Sequence, residues 1–175
     1  MHTNVLADHE IRERLHASPP LIENLTDEAT QVQACGVDLS VRTVSRFLSG
    51  GAVDFDNSGR ALAPTEPLTW ERDWLDLPPG AYHVVYNEVV NLPRDIMALA
   101  YPRSSLLRCG ATIYTAVWDP GYSGRAETLL VVHNPHGFRL RKLGRVAQLV
   151  FTMLGGSAEN GYNGRFKGEN LPADA

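Results

Sequence analysis

From residue 36 onward, apolar positions recur at every second residue. Val37, Leu39 and Val41 alternate with polar neighbours across Gly36–Arg42, the period of a strand with one buried face. Tyr82–Val90, Asp95–Tyr101, Ala111–Trp118, Glu127–Val132 and Val146–Leu154 are further strand candidates, rich in β-branched, aromatic and aliphatic residues. Between them fall Gly50-Gly51, Asn57-Ser58-Gly59, Pro78-Pro79-Gly80, Asp119-Pro120-Gly121 and His133–Gly137, all turn chemistry. The amino end differs. Asp8 is placed to cap a helix over His9–Ala17, with Ile11 and Leu15 four apart on one face, and Pro19-Pro20 stops it. At least seven short strands and one helix, without βαβ alternation, predict a mainly β fold: a sandwich, jelly roll or barrel. Gly50–Trp74 reads only as loop and edge structure.

A length of 175 residues fits one domain, 1–175, with 155–175 as a glycine-rich carboxy-terminal arm, mobile and able to close over a site. Hydrophobic residues at 43% and charged residues at 21% exclude a disordered chain. Sixteen Lys+Arg against twenty Asp+Glu leave net −4, which argues against a nucleic-acid partner. The longest apolar runs are too short for a membrane span, and Met1–Ser18 is too polar for a secretory signal. Cys35 and Cys109, neither in a CxxC, support neither a disulfide framework nor a cysteine zinc site, so a reducing, cytoplasmic compartment is expected.

Four segments carry candidate chemistry. Tyr101–Arg108 sets Arg103 and Arg108 around Ser104 and Ser105; guanidinium forks and hydroxyls suit phosphate oxygens, though a solvated turn has the same look. Asp119, in Asp-Pro-Gly, either caps the turn or takes a proton from water, and Tyr122 either packs at a rim or stacks on a ring or sugar. Gln148 lies in an apolar run and needs a partner, backbone or ligand, if buried. In Gly161–Glu169, Arg165, Phe166 and Lys167 sit among glycines and could close over an anion. HExxH, the zinc-deaminase HxE…PCxxC and GxSxG are all absent, so the histidines read as structural.

In order and spacing, these segments resemble the dUTPase/dCTP deaminase superfamily over roughly Cys35 to Glu169. The motifs are Gly36-Val37-Asp38-Leu39-Ser40, Pro102-Arg103-Ser104-Ser105-Leu106 with Leu107 and Arg108, Asp119-Pro120-Gly121-Tyr122-Ser123-Gly124, and Gly144-Arg145-Val146-Ala147-Gln148-Leu149. The tail Gly164-Arg165-Phe166-Lys167-Gly168-Glu169 resembles the deaminase type. The resemblance implies a distorted β jelly roll, a homotrimer with sites between subunits, and a deoxyribonucleoside triphosphate carrying Mg2+ on its phosphates. It implies Arg103, Ser104, Ser105 and Arg108 on phosphate, and Tyr122 against deoxyribose. Main chain around Thr112–Trp118 would read the pyrimidine. A neighbouring subunit's tail would bring Arg165 and Lys167 to phosphate and Phe166 to the base.

The superfamily contains two reactions. A dUTPase uses the third-motif aspartate, here Asp119, to activate water for attack on the α-phosphorus, giving dUMP and pyrophosphate. A dCTP deaminase needs a glutamate ten residues further on, and that position is Leu129, which cannot carry a proton. Glu127 lies on the same strand face two residues earlier, a substrate-side candidate whose structural alternative is pairing with Arg125 or Arg103. The expectation is therefore a dUTP diphosphatase. A dCTP deaminase or bifunctional enzyme is the alternative, and a non-catalytic nucleotide-binding module a more remote one.

Overall fold

The computed structural model describes residues 4–172. In chain order the elements are α1 Asp8–Leu15, β1 Ile22–Glu23, α2 Glu28–Gln31, β2 Val32–Gln33, β3 Gly36–Phe47, β4 Thr65–Pro67, β5 Trp74–Leu77 and β6 Gly80–Tyr86. They continue with β7 Val89–Asn91, β8 Ile96–Pro102, α3 Ser104–Arg108, β9 Ala111–Tyr114, β10 Ser123–Gly124, β11 Glu127–Val132, β12 Phe138–Arg141 and β13 Arg145–Met153. The largest sheet runs β8-β13-β3-β6-β11-β9, with β2 and β4 on β3; β1-β7-β10 and β12-β5 form two smaller sheets. Ala98 and Trp118 exchange two backbone hydrogen bonds of 3.0 Å, so the chain beyond β9 returns to β8 and nearly closes a barrel. The mainly β, barrel-like architecture is the expected one.

β3 organises this barrel. Along Gly36–Val41 every residue is buried, not alternate ones, because the strand is central and covered on both faces. Its pairing shifts register between Val41 and Thr43, where it leaves β13 for β6. Gly36 permits the contact with β13: a Cβ there would stand 2.5 Å from the Leu149 carbonyl oxygen. The polar alternates are therefore buried and must be paired. Glu88, fully buried, accepts from the Ser40 N–H at 2.9 Å, the Ser40 hydroxyl at 2.6 Å and the Gln31 amide at 2.8 Å.

Several boundaries differ from the sequence pattern. Asp8 is the first residue of α1, not its cap: Ala7 holds the cap position, and its N–H donates to Glu10 at 2.8 Å. The helix ends at Leu15. Tyr82–Val90 is two strands, broken at Asn87-Glu88 so that Glu88 can turn inward to Ser40. Ala111–Trp118 stays paired as a strand only to Tyr114. Ser104–Arg108 is a helical turn anchored by buried Leu106, with its other side chains exposed. Between Leu48 and Pro64 the chain is loop with a single bridge, Ala52 to Ala61, before β4.

Candidate active site

The candidate residues fall into two groups. The first surrounds α3. Arg103, at its amino end, donates its N–H to the Val146 carbonyl at 3.0 Å, fixing the turn on β13. Its Nε lies 2.9 Å from Asp38 Oδ2, and Arg145 Nη1 reaches the same oxygen at 3.0 Å. Asp38 is the buried alternate of β3, with a side chain only 3% exposed; burial raises its pKa, and two guanidiniums offset part of that desolvation. Arg103 is therefore half-buried and oriented, with its second-motif neighbours Ser104, Ser105 and Arg108 exposed beside it. Gln148 is half-buried, opposite Tyr101 on β8 and Asp38 on β3, so register places it on this same face. It has no side-chain partner among the described residues.

The second group lies at the Asp119 turn. The Tyr122 N–H donates to the Asp119 carbonyl at 3.1 Å; beyond it the Gly121 N–H donates to the Leu92 carbonyl at 3.0 Å, and the Leu92 N–H to the Tyr122 carbonyl at 2.8 Å. Gly121 has φ +85°, and a Cβ there would lie 2.9 Å from Gly161 of the tail; glycine is needed for both reasons. A cavity of about 250 Å³ is lined by Trp118, Asp119, Tyr122, Glu127, Phe166 and Glu169, among others. Asp119 is exposed at its rim, while Tyr122 is 6% exposed.

Glu127 pairs with neither Arg125 nor Arg103. It reaches diagonally across the β11–β6 ladder to His83 Nε2 at 2.8 Å, and Asn170 donates to its other oxygen at 3.0 Å. The His83 hydrogen bond, helped by Asn170, holds its pKa below the ordinary carboxylate value. Leu129 sits directly opposite His83, presenting hydrocarbon where the deaminase reading needs a carboxylate.

Within this chain the tail docks beside its own Asp119 turn. The Gly168 N–H donates to the Ser123 carbonyl at 2.7 Å, the Arg125 N–H to the Glu169 carbonyl at 3.0 Å, and the Asn170 amide to the Arg125 carbonyl at 3.0 Å. Glu169 places its carboxylate in the cavity and accepts the Tyr122 O–H at 2.7 Å. Burial pushes the Glu169 pKa up, and the Glu127 charge adds to the rise. Phe166 lines the cavity with the Arg60 guanidinium 5.8 Å from its ring centre, while Arg165 and Lys167 are exposed. Residues 173–175 of the expected arm lie outside the described residues.

The two groups do not meet within one chain. Trp118 stands beside Ala98 on β8, and Arg103 is five residues beyond Ala98, roughly 17 Å at strand rise. The sequence motifs named Asp38 and Arg145 without assigning them a role, and gave no sign of His83 or Asn170. Their partners come from strand register and tail docking, which side-chain pattern does not encode.

Residues 5–154 match the family model described as dCTP deaminase-like, and the chain belongs to that family. It is 49% identical over 95% of its length to a protein of Methanococcoides burtonii named "Probable deoxyuridine 5'-triphosphate nucleotidohydrolase", covering 99% of that protein. It is 39% identical over 87% of its length to the deoxyuridine 5'-triphosphate nucleotidohydrolase of Methanocaldococcus jannaschii, covering 96% of it. The crystal structure of a 2'-deoxycytidine 5'-triphosphate deaminase from Agrobacterium tumefaciens shares the fold, with a TM-score of 0.67 and 24% identity over 87% of this chain. This chain spans about half of that deaminase, 49% of its length.

Proposed function

We propose that this chain is a dUTP diphosphatase, hydrolysing dUTP to dUMP and pyrophosphate. Its relatives of high identity and near-full coverage bear that activity in their names. The observation that carries the choice of reaction is Leu129 opposite His83, with the adjacent Glu127 already engaged by His83 and Asn170. Neither is a free carboxylate that could move protons to a cytosine ring.

In this reading Asp119, exposed at the cavity rim, takes a proton from water as the oxygen attacks the α-phosphorus. The bond from that phosphorus to the bridging oxygen breaks, and pyrophosphate leaves. Arg103, Ser104, Ser105, Arg108 and Gln148 hold phosphate oxygens, with Arg165 and Lys167 of the tail closing on them. Tyr122 stands against the deoxyribose and Phe166 against the base. Among the described residues no cluster of three or more His, Cys, Asp or Glu side chains could hold a metal ion. Mg2+ would arrive on the triphosphate, where it would offset negative charge.

The roughly 17 Å of strand between Arg103 and Ala98, the residue beside Trp118, supports a homotrimer in which one subunit's α3 face completes a neighbour's Asp119 cavity. Exposed Leu99, Tyr101, Leu107, Tyr114 and Val117 give β8, α3 and β9 an apolar surface for that contact. The two free, exposed cysteines fit a reducing, cytoplasmic setting, and among the described residues no helix is long and apolar enough to cross a membrane. The test is turnover of dUTP and, separately, dCTP with Mg2+, following dUMP, pyrophosphate and ammonia. Turnover of dUTP alone is expected; ammonia from dCTP overturns the role given to Leu129.

A further inference from the structure

Glu169 is an unusual residue for its place. It sits half-buried in a cavity that on the reading above receives an anionic ligand, beside a second carboxylate, Glu127. The tail's exposed cations, Arg165 and Lys167, have an obvious use against phosphate, whereas a carboxylate repels it. What Glu169 does hold is Tyr122: the hydroxyl donates to Oε1 at 2.7 Å. The tail grips the same side chain a second time, with the Tyr162 ring 5.8 Å from the Tyr122 ring and tilted 60°. Gly124 keeps this contact open, because a Cβ there would stand 2.9 Å from the Tyr122 hydroxyl oxygen and 3.2 Å from the Glu169 nitrogen. Asn170, the next residue, is bonded to the Arg125 carbonyl and to Glu127, so Glu169 is delivered by a segment anchored on both sides.

We infer that Glu169 is a positioning residue for sugar selection: by holding the Tyr122 hydroxyl it fixes the ring against the 2′ position. This rests on the dUTP reading and on Tyr122 beside the deoxyribose. Discrimination against a ribonucleotide then depends on a tail residue far from Tyr122 in sequence. A ring free to tilt about its side-chain torsions yields to a 2′-hydroxyl; a ring tied at its hydroxyl and packed on Tyr162 does not.

The experiment measures kcat/KM for dUTP and for UTP in the full-length protein and in Glu169→Ala, Glu169→Gln, Tyr122→Phe and the Glu169→Ala/Tyr122→Phe pair. Glu169→Ala and Tyr122→Phe are each expected to lower the dUTP-to-UTP ratio about tenfold, within the range of coupling between contacting residues. The double variant is expected to fall no further than either single one. Glu169→Gln, whose amide oxygen still accepts the hydroxyl proton, is expected to retain the ratio within about twofold. If Glu169→Ala slows both substrates by one factor and leaves the ratio unchanged, Glu169 only secures the tail and the inference falls. Independent, multiplying effects in the double variant overturn it as well. Absence of dUTP turnover by the unaltered protein overturns the parent reading, and this inference with it.

Discussion

The α3 face and the Asp119 cavity are both built around carboxylates, yet each is held in a different way. On the α3 face Asp38 lies in a central strand, 3% exposed, and Arg103 and Arg145 come to it from positions pinned by β13. Its charges are fixed by the core before any ligand arrives. In the cavity Glu127 is exposed and Glu169 half-exposed, and each has a hydrogen bond across the tail contact: Asn170 of the tail donates to Glu127, and Tyr122 donates to Glu169 of the tail. That arrangement exists only while the tail is docked. The contrast assigns stability to one face and conditional assembly to the other. The first is set by folding and the second by a local docking equilibrium.

The largest effect tests whether the two faces belong to one site. Asp119→Asn is expected to lose about 10²–10⁴ in kcat with KM for dUTP nearly kept, since it removes proton transfer and leaves the binding groups. Arg108→Ala should instead raise KM strongly. The two variants unfolded together, refolded as a 1:1 mixture and assayed should recover about a quarter of wild-type activity, because about a quarter of neighbouring pairs unite an intact Asp119 with an intact Arg108. No recovery would place both faces in a single chain and break the composite site.

Next is Asp38→Ala. It leaves two guanidiniums facing an emptied, buried position, and the expected loss is about 3 kcal/mol of unfolding free energy, read by denaturant titration. KM for dUTP should rise too, because Arg103 loses the partner that orients it. A variant as stable as the parent would show that the α3 face is not held by the core.

How far the sequence revealed this division follows the same physics. The chemical motifs were legible because each is a contiguous run of distinctive residue types, and Arg103, Ser104, Ser105 and Arg108 do share one short turn. The strands were legible from apolar spacing, but their interruptions were not: Glu88 breaks Tyr82–Val90 because Ser40 and Gln31 receive it, and those contacts come from register. Asp38 read as a surface-facing alternate because period two assumes one wet face, and β3 has none. Tail docking was invisible. Its bonds from Gly168 and to Glu169 are backbone to backbone, and a glycine-rich composition looks the same docked or free.

The smallest effect is the pH dependence of docking, and here the two cavity carboxylates oppose each other. The Glu127 pKa is lowered chiefly by His83 of β6, which stays in place when the tail leaves; only the further lowering from Asn170 couples to docking, and it is lost as pH falls through the docked value. The Glu169 pKa is raised by burial, so the docked tail binds that proton more tightly than the released one. Its contribution is complete below 4.5 and is lost as pH rises through the raised value. Both are complete only on the acid side of the ordinary value, so docking should pass through a maximum in the acid range and weaken most as pH rises from it. Amide exchange protection at Gly168 and Arg125, whose N–H groups bond across the docked segment, should peak there, with each limb spanning less than about tenfold for groups this exposed. Glu127→Gln should flatten the acid limb and Glu169→Gln the alkaline one. Protection that changes monotonically with pH would show that one carboxylate alone governs the tail, and the α3 face, set by the core, should show neither limb.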